Sequence, residues 1–207
     1  MPHDNQRTLR PIDRRRLSIF SIAAIAVICA LSSFGCGKSA GGNNIHVKSA
    51  ATGEKDIATK SSYAFAVTKT FTDAAGKMTT ASSYRAYVAN YDLDSANFAL
   101  TLDKPLTSDD AVRVVFSLVG EEGTKEASPP KAGTYSAKAD KYMKVEDVSI
   151  VSRKGGADSK FFLDRSTLNG QVKVSTATAD EIAGDIDLTS GDNVIKGSFT
   201  AKVLKRK

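Results

Sequence analysis

Val172-Lys173-Val174, then Ile182-Ala183-Gly184-Asp185-Ile186-Asp187-Leu188, then Ile195-Lys196-Gly197-Ser198-Phe199-Thr200-Ala201-Lys202-Val203: these runs, near the end of a chain of 207 residues, decide the fold. Apolar side chains recur at every second position. Gln171, Lys173, Glu181, Asp185, Asp187, Lys196, Ser198, Thr200 and Lys202 fill the places between. Successive side chains of an extended backbone point to opposite faces, so this spacing gives each run one dry face and one wet face. Turn residues at Ala179-Asp180 and at Ser190-Gly191-Asp192-Asn193 separate the runs. Together they predict an antiparallel meander.

Working outward, the same period runs back to Tyr63. Tyr63, Phe65 and Val67 share one face of a strand that Asp73-Ala74-Ala75-Gly76-Lys77 turns. Ser83 to Tyr91 reads as a second strand, and Phe98, Leu100 and Leu102 line a third. Val112, Val114, Phe116 and Leu118 line a fourth whose other face carries Arg113, Val115, Ser117 and Val119; apolar residues on both faces predict a central position. The stretch from Gly120 to Gly133, with Pro129-Pro130, reads as a mobile loop. Strands follow at Thr134–Ala139 and Tyr142–Val151, a turn at Lys154-Gly155-Gly156, and a short apolar run at Phe161-Phe162-Leu163. Past residue 62 no helical period is sustained. The expected fold is all-β: a single antiparallel β-sandwich, or flattened barrel, of about 8–10 strands over residues 62–207. A body of about 145 residues buries roughly 70% of its unfolded surface and needs no covalent staples.

The other end of the chain has different physics. Arg10, Arg14, Arg15 and Arg16 form a basic cluster, and no charge occurs between Leu17 and Phe34. Positive charge, then an apolar run, then small residues is the layout of an export signal. Gly35 supplies the small residue needed at a cleavage point. The run is also just long enough to cross a bilayer uncleaved. Arg14-Arg15-Arg16-Leu17 has something of a twin-arginine export signal, with Ser18 breaking the expected hydrophobic pair.

Ser33-Phe34-Gly35-Cys36 resembles the lipobox of bacterial lipoproteins, with Gly35 and Cys36 in the matching places and Ser33 and Phe34 departing from the usual pattern. The resemblance implies cleavage after Gly35, residues 1–35 being the signal peptide. It implies lipidation of Cys36 through a thioether-linked diacylglycerol, usually with an acylated amine. Two or three acyl chains, each buried methylene worth about 0.8 kcal/mol, make a durable anchor. By the same resemblance, Gly37 and Lys38 are not the acidic retention signal of enterobacterial lipoproteins. The implied location is the bacterial cell envelope, at the outer membrane where the source has two. The closing meander is itself similar to that of small β-rich bacterial lipoproteins of unassigned role.

Residues 36–61 read as the lipidated N-terminus and a flexible tether, Gly- and Asn-rich and then rich in Ala, Lys, Thr and Ser. Its mean reach would be about 25–30 Å.

The formal charge is +6, but residues 1–35 hold five arginines and two aspartates, and residues 201–207 hold four more cations. The folded body between them is close to neutral, which argues against a nucleic-acid partner. The only cysteine after the leader is Cys36, the only histidine His46, and tryptophan is absent. That census leaves no metal site of the Cys/His kind, no haem attachment and no thiol chemistry. A Ser-His-Asp triad would require His46, in the expected tether, to sit in the folded body. No cofactor is expected.

Asp185 and Asp187 point to one side of one strand, as paired carboxylates would, although the solvated face of a strand whose dry side holds Ile186 and Leu188 is the better account of them. Asp92-Leu93-Asp94-Ser95-Ala96-Asn97 begins like a calcium loop and breaks at Ala96. Asp109-Asp110, Glu121-Glu122, Glu146-Asp147 and Asp180-Glu181 are adjacent acids, which a regular strand points in opposite directions. Six tyrosines offer a sugar-stacking surface or ordinary sheet packing. The expectation is a lipid-anchored envelope protein, not an enzyme, with a binding or structural role. The alternatives are an envelope hydrolase using two carboxylates, and an uncleaved membrane-anchored assembly subunit that lends an edge strand to a partner.

Overall fold

A computed structural model of the chain describes residues 43–50, 52–96 and 105–205. Gly35, Cys36, the rest of the expected leader, and the expected strand of Phe98, Leu100 and Leu102 lie outside the described residues. By internal contacts the chain divides into two units, Met1–Ala40 and Gly41–Lys207, and every described residue belongs to the second.

Among the described residues there are eleven strands and no helix: β1 (Asn44–Ser49), β2 (Gly53–Ala58), β3 (Ser61–Thr72), β4 (Met78–Ala89), β5 (Val112–Val119), β6 (Gly133–Ser136), β7 (Lys144–Lys154), β8 (Ala157–Phe162), β9 (Leu168–Ala177), β10 (Glu181–Ser190) and β11 (Asn193–Leu204). The expected meander is β9-β10-β11, antiparallel throughout, with Ile186 opposite Val172 on one side and Gly197 on the other. The Gly191-Asp192 turn closes its last hairpin, Gly191 taking a φ of +57°. Gly155 and Gly156, at φ +60° and +81°, form the two-residue turn between β7 and β8, a conformation that side chains with a Cβ resist.

Eight strands close into a flattened barrel in the order β10-β9-β6-β7-β5-β4-β3-β11, and β11 returns to β10. The wall consists of two antiparallel sheets, β2-β1-β11-β10-β9-β6 and β3-β4-β5-β7-β8. Two short parallel contacts join them: Lys202 to Leu204 of β11 beside Tyr63 to Phe65 of β3, and Ser136 of β6 beside Lys144 of β7. This merges the sandwich and the barrel of the sequence reading into one object. As expected, β5 is central, buried along its whole length between β4 and β7.

The interior is filled by side chains. Phe116, Phe199, Tyr135, Leu118, Ile150, Ile182, Ile186, Leu188 and Ile195 are each under 2% exposed. Phe116 and Phe199 meet edge to face, with ring centroids 5.1 Å apart at 81°, a favoured aromatic geometry.

Three expectations are corrected. Residues 36–61 are not all tether, because β1 and β2 form a hairpin there whose Ile45, Val47 and Ile57 are buried in the main core. β1 lies along β11 with Ile45 opposite Gly197, where a Cβ would fall 2.1 Å from the Asn44 carbonyl oxygen. Secondly, the loop expected to be mobile after Gly120 is tied down. Gly120 and Gly123 donate N–H groups to the carbonyls of Ser82 and Thr80 at 2.7 and 2.8 Å. The Tyr84 hydroxyl donates to the Ser128 carbonyl, and that of Tyr135 to the Lys131 carbonyl at 2.9 Å. Thirdly, the cations counted apart from the folded body at 201–207 belong in part to it: β11, expected to reach Val203, runs to Leu204, and Lys205 pairs with Asp180 at 3.2 Å.

Candidate functional site

The strand rule that sends neighbouring residues to opposite faces fails between β9 and β10, where Ala183 faces Thr176 and Gly184 faces Val174, and again on β7. On β7, Ser149 stands opposite Val115 of β5, yet Glu146 stands opposite Ser117. Three steps on β7 match two on β5, so one extra residue is inserted. Asp147 absorbs it at φ +51°, a left-handed conformation uncommon outside glycine. This β-bulge explains why Val145 and Val148, three residues apart, both reach the main core. It also re-aims Asp147, so that Glu146 and Asp147 line the same hollow.

That hollow, of about 400 Å³, lies on the outer face of the β3-β4-β5-β7 sheet. On β4, Tyr84, Ala86 and Val88 belong to the main core, so Ser83, Arg85 and Tyr87 face the other way. Strand pairing sets a row across the sheet: Phe65 beside Arg85, Arg85 beside Ser117, Ser117 beside Glu146. Val67 and Ser83 form the next pair. Lys69 of β3 forms an ion pair with Glu146 of β7, although two strands lie between them. A flat sheet would hold those backbones about 14 Å apart, three spacings of about 4.8 Å, so the β3-β4 ribbon must curl over the face. The curl makes the hollow.

Its charges are matched except for one. Lys69 neutralises Glu146, whose side chain is 9% exposed. Arg165 pairs with Asp147, and that hydrogen bond, with the carboxylate's charge, raises the guanidinium pKa. Arg85 has no carboxylate partner among the described residues. Its guanidinium lies over the Tyr87 ring, 5.9 Å from the centroid, and its Nε is buried with no hydrogen-bond partner. A buried donor left unmatched is costly, and Arg85 shares that feature with Arg113, whereas only Arg85 lines this hollow.

A second hollow, of about 430 Å³, lies at the barrel end where β3 and β11 part, lined by Ala66, Tyr84, Pro129, Val203 and Leu204 among others. Burial and then the neighbouring Tyr135 push the Tyr84 hydroxyl up to about 12. A third, of about 310 Å³, lies beside the β1–β2 turn between Lys55, Asp109 and Arg153. Asp109 accepts the N–H groups of Gly155 and Gly156 at 2.9 and 3.2 Å, so this acid is spent on locking a turn.

No family model, curated protein or solved structure matches this chain. What it does must therefore be argued from its own residues.

The candidates from the sequence divide as follows. Asp185 and Asp187 stay on the exposed face of β10, with Lys196 3.4 Å from Asp187, and line none of the three hollows. In the loop that began like a calcium site, Asp92 pairs with Lys60 at 2.7 Å and Asp94 accepts the Ala96 N–H at 2.9 Å, while Asn97 lies outside the described residues. His46 does sit in the folded body. Its Nδ1 is 2.8 Å from Asp56 and its Nε2 3.5 Å from Glu54, so carboxylates take both nitrogens and none faces a serine. The tyrosines split: Tyr84 and Tyr135 pack in the core, while Tyr87, with Tyr63 and Tyr91 against it, belongs to a separate outer cluster. Of the adjacent acids, Glu146-Asp147 is the pair that shares one of these three hollows. Edge strands β2 and β8 are short and carry Glu54, Lys55 and Asp56, or Asp158 and Lys160, which discourages pairing with another chain.

Proposed function

We propose that the chain is an exported, lipid-anchored envelope protein whose barrel is a binding module, with the outer face of β3-β4-β5-β7 as its recognition surface. The filled core carries the binding reading. With Phe116, Phe199 and Tyr135 filling the interior among the described residues, the reading favours recognition on the outside of the wall over a ligand carried within. The anchor rests on Gly35-Cys36 behind an uncharged run. β1 begins at Asn44, and the seven residues between it and Cys36 can span at most about 25 Å however they are arranged. The module is then held near the lipid surface by a short leash, not floated on a long tether.

The hydrolase reading finds its best pair in Glu146 and Asp147. Both come from one strand and each is held by a cation, whereas an acid–base pair needs one carboxyl poised to give a proton. Binding therefore ranks ahead of hydrolysis. Phase partitioning of the expressed protein in a cloud-point detergent tests the anchor. The native chain should enter the detergent phase and Cys36→Ala the aqueous phase. Equal partitioning of the two would refute lipid attachment at Cys36.

A further inference from the structure

We infer that the hollow around Arg85 binds a hydroxylated ligand carrying a single carboxylate, the chemistry of an acidic sugar residue. The inference deepens the binding reading above and rests on it.

The charge balance selects the class. Lys69 and Arg165 are engaged by Glu146 and Asp147, which leaves the Arg85 guanidinium with an unmatched Nε and no counter-charge among the described residues. One unopposed cation suits one negative charge, and the planar guanidinium fork fits a carboxylate with two parallel hydrogen bonds. With Glu146 and Asp147 each paired to a cation, Arg85 is left as the one unpaired charge of the lining, which a singly charged carboxylate balances and a phosphate dianion exceeds. The same two carboxylates have lone pairs to accept hydrogen bonds from ligand hydroxyls. Ser83 and Ser117, also in the lining, can donate or accept.

The remaining lining, from β3, is apolar at Phe65 and Val67 and polar at Thr68 and Lys69. Phe65 and Val67 line the side opposite the acids, and Phe65 stands beside Arg85 across β3 and β4. Polar groups together with apolar side chains in one lining suit a sugar ring, which has hydroxyls at its edge and C–H groups on its face. The volume of about 400 Å³ is within the range of small-ligand sites. The left-handed Asp147 and its bulge give this backbone a strained, re-aimed geometry of the sort that clusters at binding sites.

The test uses the full chain in detergent, titrated separately with methyl glucuronide, methyl glucoside, acetate and inorganic phosphate while amide resonances are followed by NMR. Methyl glucuronide should shift the amides of Ser83, Arg85, Ser117 and Glu146, and should bind more tightly than the neutral glucoside or phosphate. Arg85→Gln should weaken glucuronide binding about tenfold or more and leave the glucoside within twofold. Arg85→Lys should fall between. Should a variant lose its fold, the native titration still decides. Equal binding of glucuronide and glucoside, tighter binding of phosphate, acetate binding as tightly as glucuronide, or shifts confined elsewhere would each overturn the inference. Because partitioning through Cys36 is measured separately, failure here leaves the anchor standing, and failure there leaves this site standing.

Discussion

Replacing Ile45 by alanine distinguishes a built-in hairpin from a tether. Ile45 is 0% exposed and packs in the main core with Val47 and Ile57. Truncating a fully buried isoleucine loses transfer energy and leaves a cavity, together about 2–5 kcal/mol. A residue in a solvated tether would change stability by less than about 0.5 kcal/mol. The two readings thus differ by a factor of four or more, well outside measurement error. Urea unfolding followed by far-UV circular dichroism and tyrosine fluorescence gives the number, with an unchanged m value showing that the surface exposed on unfolding is the same. For a body of this size a mid-range loss lowers Tm by about 10 °C. Lys48→Ala, exposed on the same strand, is the control and should stay near zero. An Ile45→Ala loss indistinguishable from that control would refute the placement of β1 in the core.

Other outcomes follow from the same packing. Gly197→Ala forces a Cβ to within 2.1 Å of the Asn44 carbonyl oxygen, at a φ of +136°, and should destabilise by about 1–3 kcal/mol, measured by the same urea series. A double-mutant cycle on Phe116→Leu and Phe199→Leu should give a coupling of about 0.5–1.5 kcal/mol, since their rings meet edge to face. Lys69→Ala leaves Glu146 without its cation in a nearly buried place and should cost more than Lys60→Ala, whose partner Asp92 is exposed; equal losses would contradict the buried pairing. Tyr84 predicts an alkaline limit. Its hydroxyl is pushed up to about 12 from 10, so below pH 10 folded and unfolded chains both keep the proton and the contribution is fully present. Between pH 10 and about 12 the unfolded chain ionises first, and stability should fall as pH rises; Tyr84→Phe should flatten that fall.

The closing meander was legible because each of its strands has several apolar residues at strict alternation, on one wet and one dry face. The opening hairpin was not. β1 offers two apolar side chains, Ile45 and Val47, and β2 offers Ile57, inside a polar stretch where composition speaks for disorder. Three residues anchor it, and their value comes from core neighbours such as Ile195, some 150 positions away. The loop after Gly120 misled for a related reason, since its ties run to Thr80, Ser82 and Tyr84, some 40 residues back. At the candidate site, adjacency of Glu146 and Asp147 argued against joint action, and regular strand geometry supports that argument. The local signal for an exception was the spacing of Val145 and Val148, two core residues three apart in a run of period two, which marks an inserted residue. Lys69 and Arg85 carried no such signal. Only the strand register brings them beside Glu146.

Intact mass spectrometry of the mature N-terminal peptide asks most directly whether a lipid holds this barrel to a membrane. A peptide beginning at Cys36 and heavier by a diacylglycerol, with or without a further acyl chain, is the result expected. A leader still attached, or a peptide in which Cys36 carries no lipid, would contradict it.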